Sequence, residues 1–191
     1  MTPSGARVLV IGAGIIGRAT AYFLSRQGVE VVLLDAHEDP ALTGTCGSPT
    51  SRASLGVLSH PNGSDSPYAQ LYRDGHALHA RLATELAAET GLDVGWRPLG
   101  GIELFADEAQ LEEVWRLNRE RGCPVVRLDE RGLREREPAL AVGTGGLYFS
   151  GDHRVDPLKL GEVLLVAAQQ RGAITQWGEG VVRIVQRDGS V

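Results

Sequence analysis

The chain has 191 residues, of which 42% are apolar, 23% charged and 5% aromatic, with 25 glycines. That is enough for one large domain, or one domain and part of another, around a real core. A formal net charge of -5 offers no basic field to a phosphate backbone and argues against nucleic-acid binding as the main task. The two cysteines, Cys46 and Cys123, stand far apart and alone. They make no disulfide framework, CxxC pair or zinc knuckle, and are expected as reduced, inert thiols. No apolar run approaches the ~20 residues of a membrane span, and the first residues lead straight into a strand without a secretory leader. A soluble, cytoplasmic protein is expected.

Val8-Leu9-Val10-Ile11 reads as a strand buried on both faces. It ends at Gly12, and helical spacing follows from Ile15 to Gln27, stopped by Gly28. Val31 to Leu34 is a second buried strand, closed by Asp35. From Ala36 to Ser66 glycine, proline, serine and threonine dominate, which predicts a long functional loop. Ser66-Pro67 opens a helix whose stripe is Leu71, Leu78, Leu82 and Leu86, ended by Gly91. Next come a strand at 101–105, a helix capped by Asp107, a strand at 125–128, a short helix from Leu133 to Glu137 and a strand at 146–149. Asp156-Pro157 starts one more helix, stopped by Gly172, and strands follow at 174–177 and 181–185. Asp188-Gly189 is a hairpin turn signal with only one arm before it, so the chain is expected to stop within a domain.

Chemistry concentrates at Gly12-Ala13-Gly14-Ile15-Ile16-Gly17. GxGxxG alone is a weak signal, but here it leaves a buried strand, opens a helix and is followed by Asp35 at the end of the next strand. Gly12 permits the tight turn, Gly14 lets a pyrophosphate approach the backbone, and Gly17 lets helix and sheet pack closely. Helix amides hold the phosphates, and Asp35 can accept from ribose hydroxyls. The pattern specifies a dinucleotide site. A nicotinamide dehydrogenase would continue from Asp35 through a short helix to a third parallel strand. The irregular stretch from Thr43 to His60 instead suits an extended cofactor, which favours FAD over NAD.

The run Gly12-x-Gly14-x-x-Gly17-x-x-x-Ala21-x-x-Leu24-x-x-x-Gly28-x-x-Val31-x-x-x-Asp35 resembles the FAD fingerprint of the D-amino-acid oxidase superfamily. Thr50 to Leu58 resembles that group's second FAD loop, particularly in its glycine oxidase and sarcosine oxidase branch. Gly100-Gly101-Ile102, the stretch Leu128 to Leu140 and Val155-Asp156-Pro157 extend the match along nearly the whole chain. The resemblance implies an α/β fold: a Rossmann-like, doubly wound FAD-binding domain (residues 1–92 and 151–191) interrupted by part of an antiparallel α+β substrate domain (residues 93–150). It also implies pyrophosphate contacts from Ile15 and Ile16, ribose contacts from Asp35 and Ala36, and phosphate and ribityl contacts from Thr50 and Ser51. Leu55, Gly56 and Val57 would lie near the flavin, and Val182 would offer its backbone to adenine. Where the family has glutamate this chain has Asp35, and the stretch from Asp35 to Thr50 is longer than usual.

The implied activity is oxidation of a C–N bond in a small amino acid or amine, the flavin accepting a hydride from the carbon beside the nitrogen. The resemblance also implies a further half carrying a substrate-binding arginine and a second glycine-rich contact, so no catalytic residue is assigned. Two alternatives stay open: a non-catalytic FAD-binding fragment or subunit that needs a partner chain, and an NAD(P)-dependent dehydrogenase. No metal site is expected. His76 and His79 can share a helix face but lack a third ligand, and His60 and His153 read as surface histidines beside turns. The alternating charges of 130–137 read as a solvated helix face, and Trp96, Trp115 and Trp177 as packing residues.

Overall fold

The computed structural model describes residues 7–40, 49–59, 66–140 and 145–186. Its elements run β1 (Arg7–Ile11), α1 (Ile15–Arg26), β2 (Glu30–Asp35), α2 (Pro49–Ala53), β3 (Val57–Leu58), α3 (Pro67–Thr90), β4 (Arg97–Pro98), β5 (Gly101–Phe105), α4 (Glu108–Glu120), β6 (Val125–Leu128), α5 (Glu130–Arg136), β7 (Gly145–Phe149), β8 (His153–Arg154), α6 (Pro157–Gln170) and β9 (Ile174–Trp177). The chain divides into two compact units. The first comprises residues 1–55, 85–94 and 156–191; the second comprises 56–84 and 95–155, so helix α3 begins in one and ends in the other.

The first unit is built on a parallel sheet of order β1-β2-β9. Val10 pairs with Leu33 and Leu33 with Thr175, and helices α1 and α6 pack closely together. The side chain of Leu33 sits beneath Gly17 of α1, so Val10, Val31 and Leu33 are buried on the helix-covered face. The opposite face carries Leu9 and Ile11, each 54% exposed, and Ile174, 50% exposed. The expectation that the first strand is buried on both faces is therefore corrected. Burial of both faces needs helices on both, and among the described residues β1 has a strand neighbour on one side only.

The end of α3 ties the first unit's helices together. The Tyr22 hydroxyl donates to Glu89 at 3.1 Å, and the Arg171 and Arg26 guanidinium groups donate to Glu89 and Glu85. Tyr22 is completely buried. Of the α3 stripe, Leu82 and Leu86 are buried as expected, whereas Leu71 is 70% exposed. No strand forms at 181–185: residues 181–186 are irregular and exposed. A strand exists only through backbone bonds to a neighbour, and this segment pairs with no strand among the described residues.

The second unit contains two antiparallel sheets, β5-β7-β6 and the short β3-β8-β4. In the first, Leu147 and Phe149 of β7 join Phe105 and Leu111 in a core flanked by Val114, Trp115 and Val125. Asp107 caps α4 by accepting from the Gln110 amide at 2.7 Å. Asp129 caps α5 in the same way, accepting from Gly132 at 2.8 Å, so that helix starts at Glu130 rather than Leu133. Its charges pair along an exposed face, Arg131 with Glu135 and Arg134 with Glu130. The short turn of helix α2 and the two-residue strands β3, β4 and β8 were not anticipated. No helix among the described residues is long and apolar enough to cross a membrane.

Candidate functional site: a glycine turn clamped by Asp35 and Arg18

The turn between β1 and α1 is shaped by the glycines. Gly12 has φ +97°, a region that L side chains avoid, and its amide donates to the Leu34 carbonyl at 2.7 Å. A Cβ on Gly17 would fall 1.8 Å from the Gly12 carbonyl oxygen, so the helix can approach the turn only without a side chain there. Gly14 is the opposite case. It is the N-cap, its backbone is extended, and a Cβ there would meet nothing within 4 Å. The space in front of Gly14 is open, as a cradle for a bound group requires.

Amides at 15, 16 and 17 begin the helix and have no intrahelical acceptor, since the first such bond runs from the Arg18 amide to the Gly14 carbonyl at 3.0 Å. Donors and helix dipole together favour an anion at this end. Among the described residues no side chain caps the helix and no acidic residue lies in its first turn. Ile16 is 80% exposed beside it.

Asp35, at the end of β2, accepts from the Ala13 amide at 2.6 Å through one oxygen. Through the other it accepts from the His37 amide at 2.9 Å and meets the His37 ring at 2.7 Å. Burial pushes the Asp35 carboxyl up, but the His37 and Ala13 amides and the His37 ring outweigh it and hold the carboxyl below its ordinary value. Asp35 thus carries a charge near neutral pH and clamps the turn. Beyond β9, the Gly178 amide donates to the His37 carbonyl at 2.8 Å and the Glu179 amide to the Asp35 carbonyl at 3.0 Å, while Gly180 faces the Ala36 side chain. The segment leading to Val182 is in this way tied to the Asp35–His37 turn; the Val182 side chain itself is 99% exposed.

The first unit therefore brings together Gly12, Gly14, Ile15, Ile16, Gly17, Asp35 and Ala36. Thr50 and Ser51 lie on α2, which packs on α6 in the same unit, with Ser51 buried and Thr50 exposed; Leu55 is 87% exposed. Gly56 and Val57 belong to the second unit. There the Gly56 carbonyl accepts from the Val155 amide at 2.9 Å and Val57 pairs with Arg154.

One contributor was missed. Arg18, 6% exposed, donates from Nε to the Ala13 carbonyl at 2.7 Å, and its guanidinium lies 5.9 Å from the Trp177 ring centroid. With Ala21, Tyr22 and Ser25 it forms the buried stripe of α1. In the second unit His76 and His79 share a face as expected, but they surround an indole. Trp96 stacks on His153 at 4.5 Å and on His79 at 6.3 Å, with His76 edge-on at 6.2 Å. Among the described residues no group of His, Cys, Asp or Glu is placed to hold a metal ion. Cys123 is a free thiol; Cys46, His60 and the turn at 187–190 lie outside the described residues.

A parallel β-α-β unit with an open glycine turn, free helix amides and an acid at the next strand's end defines a dinucleotide-binding fold. The chain matches the model of the DAO family, FAD dependent oxidoreductase, over residues 7–191, and it belongs to that family. It is 32% identical over 173 residues to the glycine oxidase of Geobacillus kaustophilus, covering 87% of this chain and 44% of that protein. It is 28% identical to the D-amino acid dehydrogenase of Cereibacter sphaeroides, covering 97% of this chain and 53% of that one. Among solved structures, glycine oxidase from Bacillus cereus superposes with a TM-score of 0.81 at 25% identity, over 95% of this chain and 48% of that chain. The chain spans about half the length of the curated relatives it matches. FAD is the family's cofactor.

Proposed function

We propose that this chain is the FAD-gripping portion of an oxidoreductase that oxidises the C–N bond of a small amino acid or amine to the imine, in the manner of glycine oxidase. The observation that carries this reading is the turn itself: open before Gly14, sealed at Gly17 and clamped by Asp35, in a chain of the FAD-dependent family. Bound FAD supplies the oxidant that accepts a hydride from the carbon beside the nitrogen. The amides of Gly14, Ile15, Ile16 and Gly17, at the turn opened by Gly12, bind the diphosphate. Asp35 and Ala36 face the adenosine ribose, Thr50 and Ser51 the phosphate and ribityl chain, and the Val182 backbone the adenine. Leu55, Gly56 and Val57 contact the flavin. The residues of 93–150 contribute to the substrate side, and no catalytic residue is assigned among those present. The organic substrate is a small amino acid or amine, and activity requires residues beyond these 191, on the same chain or on a partner.

An absorbance spectrum of the purified chain after incubation with FAD and gel filtration tests the cofactor. Retained flavin bands are expected; a colourless protein that binds NADH overturns the reading. Turnover measured with glycine, sarcosine and D-amino acids, on the chain alone and on a version extended by any continuing reading frame, then tests the chemistry. Peroxide or imine release by the 191 residues alone at ordinary oxidase rates would contradict the need for further residues.

A further inference from the structure

Nothing in the glycine motif requires an arginine at position 18, yet Arg18 is one of the few buried charged side chains among the described residues. Its Nε holds the Ala13 carbonyl at 2.7 Å, while Asp35 holds the amide of the same residue at 2.6 Å. Ala13 is thus gripped on both sides by ionic groups and is itself 4% exposed. The peptide joining Ala13 to Gly14 is planar and trans, so its C=O and N–H point in opposite directions. With the carbonyl drawn to the buried guanidinium, the Gly14 amide must face away from it. The guanidinium lies beside Gly161 of α6, where a Cβ would stand in ordinary contact at 3.6 Å from Nη1, and 5.9 Å from the Trp177 ring centroid.

We propose that Arg18 is a positioning residue for the diphosphate: by turning the Ala13 carbonyl inward it presents the Gly14 amide outward as a donor and keeps a carbonyl dipole from opposing the anion. This rests on the dinucleotide reading above and adds to it a residue that touches no ligand. Arginine suits the task because its Nε donor is fixed in the plane of the guanidinium, whose carbon lies over the Trp177 ring at 5.9 Å from its centroid. Lysine at this position keeps the charge but not that geometry.

The test compares ADP, which carries the diphosphate, with adenosine, which does not, by calorimetric titration of the full chain as wild type, R18K and R18M. Thermal midpoints are recorded alongside, and the ADP-induced shift of the Gly14 amide is followed in 15N spectra. R18M is expected to bind ADP about tenfold more weakly at unchanged adenosine affinity, and to lose the Gly14 shift. R18K falls between. Equal losses for ADP and adenosine, or ADP affinity retained within about twofold, overturn the proposal. Should R18M fail to fold, the same ADP-to-adenosine ratio in R18K decides. A wild-type chain that binds neither ligand removes the dinucleotide reading and this inference with it, whereas wild-type binding with an unmoved ratio removes only the inference.

Discussion

The two units meet the problem of close approach in different ways. In the first unit, the parallel sheet leaves half of its β1 apolar surface open, with Leu9 and Ile11 each 54% exposed, while all precision is spent at one end, where Gly17 faces the Gly12 carbonyl. In the second, the antiparallel sheet is most tightly filled at its central strand. Leu147 is fully buried, Gly146 would bring a Cβ within 2.9 Å of the Glu103 carbonyl, and Gly145 would bring one within 2.9 Å of Leu111. Each unit therefore tolerates change in a different place: the first on the open face of β1 but not at its turn, the second away from the core around β7.

The largest effect is expected at the turn. Gly17→Ala places a methyl 1.8 Å from backbone oxygen, which side-chain adjustment cannot relieve. A loss of about 4 kcal/mol or more is expected, read as collapse of the urea midpoint. Gly14→Ala, three residues earlier, meets no atom within 4 Å and is expected to keep the midpoint within about 1 kcal/mol while weakening ADP binding. Equal destabilisation by the two would erase the distinction between a packing glycine and a cradle glycine.

The second contrast concerns leucines. Leu147→Ala empties a fully buried site between Phe105, Leu111 and Phe149 and is expected to cost about 3 kcal/mol. Leu9→Ala, on the open face of β1, is expected to cost less than about 1 kcal/mol. If Leu9→Ala proves as costly as Leu147→Ala, that face of β1 is covered in the protein as measured.

Much of this arrangement was legible because its causes are local. Asp107, Asp156 and Ser66 cap helices with their own side-chain oxygens, accepting from amides two or three residues on, and such spacing is readable in the chain. The glycine turn and Asp35 were readable for the same reason, although the partner of Asp35 was not: its carboxylate is committed to Ala13 and His37. What escaped depends on distant partners. Strands β3 and β4 are two residues long and exist through pairing with β8, nearly a hundred positions from β3 and more than fifty from β4. Residues 181–185 have strand-like composition and find no partner strand among the described residues. Arg18 escaped because a charged residue on a buried stripe reads as an interruption until its acceptor, Ala13, is seen. The paired glycines 100 and 101 had a family resemblance but no mechanism. The structure supplies one, since a Cβ on either would strike the Tyr148 ring or the Asp152 carboxylate.

Asp35→Asn tests the clamp at smaller cost. Asparagine keeps an acceptor but loses the charge, and about 2 kcal/mol is expected at neutral pH. Because the folded carboxyl sits below its ordinary value of 3.8, its contribution is full above that value and fades as the pH falls through the folded pKa. The gap between wild type and D35N, followed by urea titration from pH 7 downward, is expected to close in the acid range. A gap independent of pH would place the effect in geometry rather than charge.

The smallest effect lies in the C-terminal half of α1, at Tyr22. The buried Tyr22 hydroxyl donates to Glu89, whose carboxyl is held below its ordinary value first by the Arg171 hydrogen bond, against burial, and then by Tyr22. Tyr22→Phe leaves Glu89 still paired with Arg171, so only about 1 kcal/mol is expected at pH 7. Burial, and then the Glu89 acceptor, raise the Tyr22 hydroxyl above its ordinary 10.0. A group raised on folding stabilises fully below its unfolded value and loses that contribution as the pH rises toward the folded one. The wild-type advantage over Y22F is therefore expected to shrink above pH 10.0 while Asp35→Asn is insensitive there. A Y22F gap that persisted into strong alkali would mean that the hydroxyl contributes through packing and not through the proton it gives Glu89.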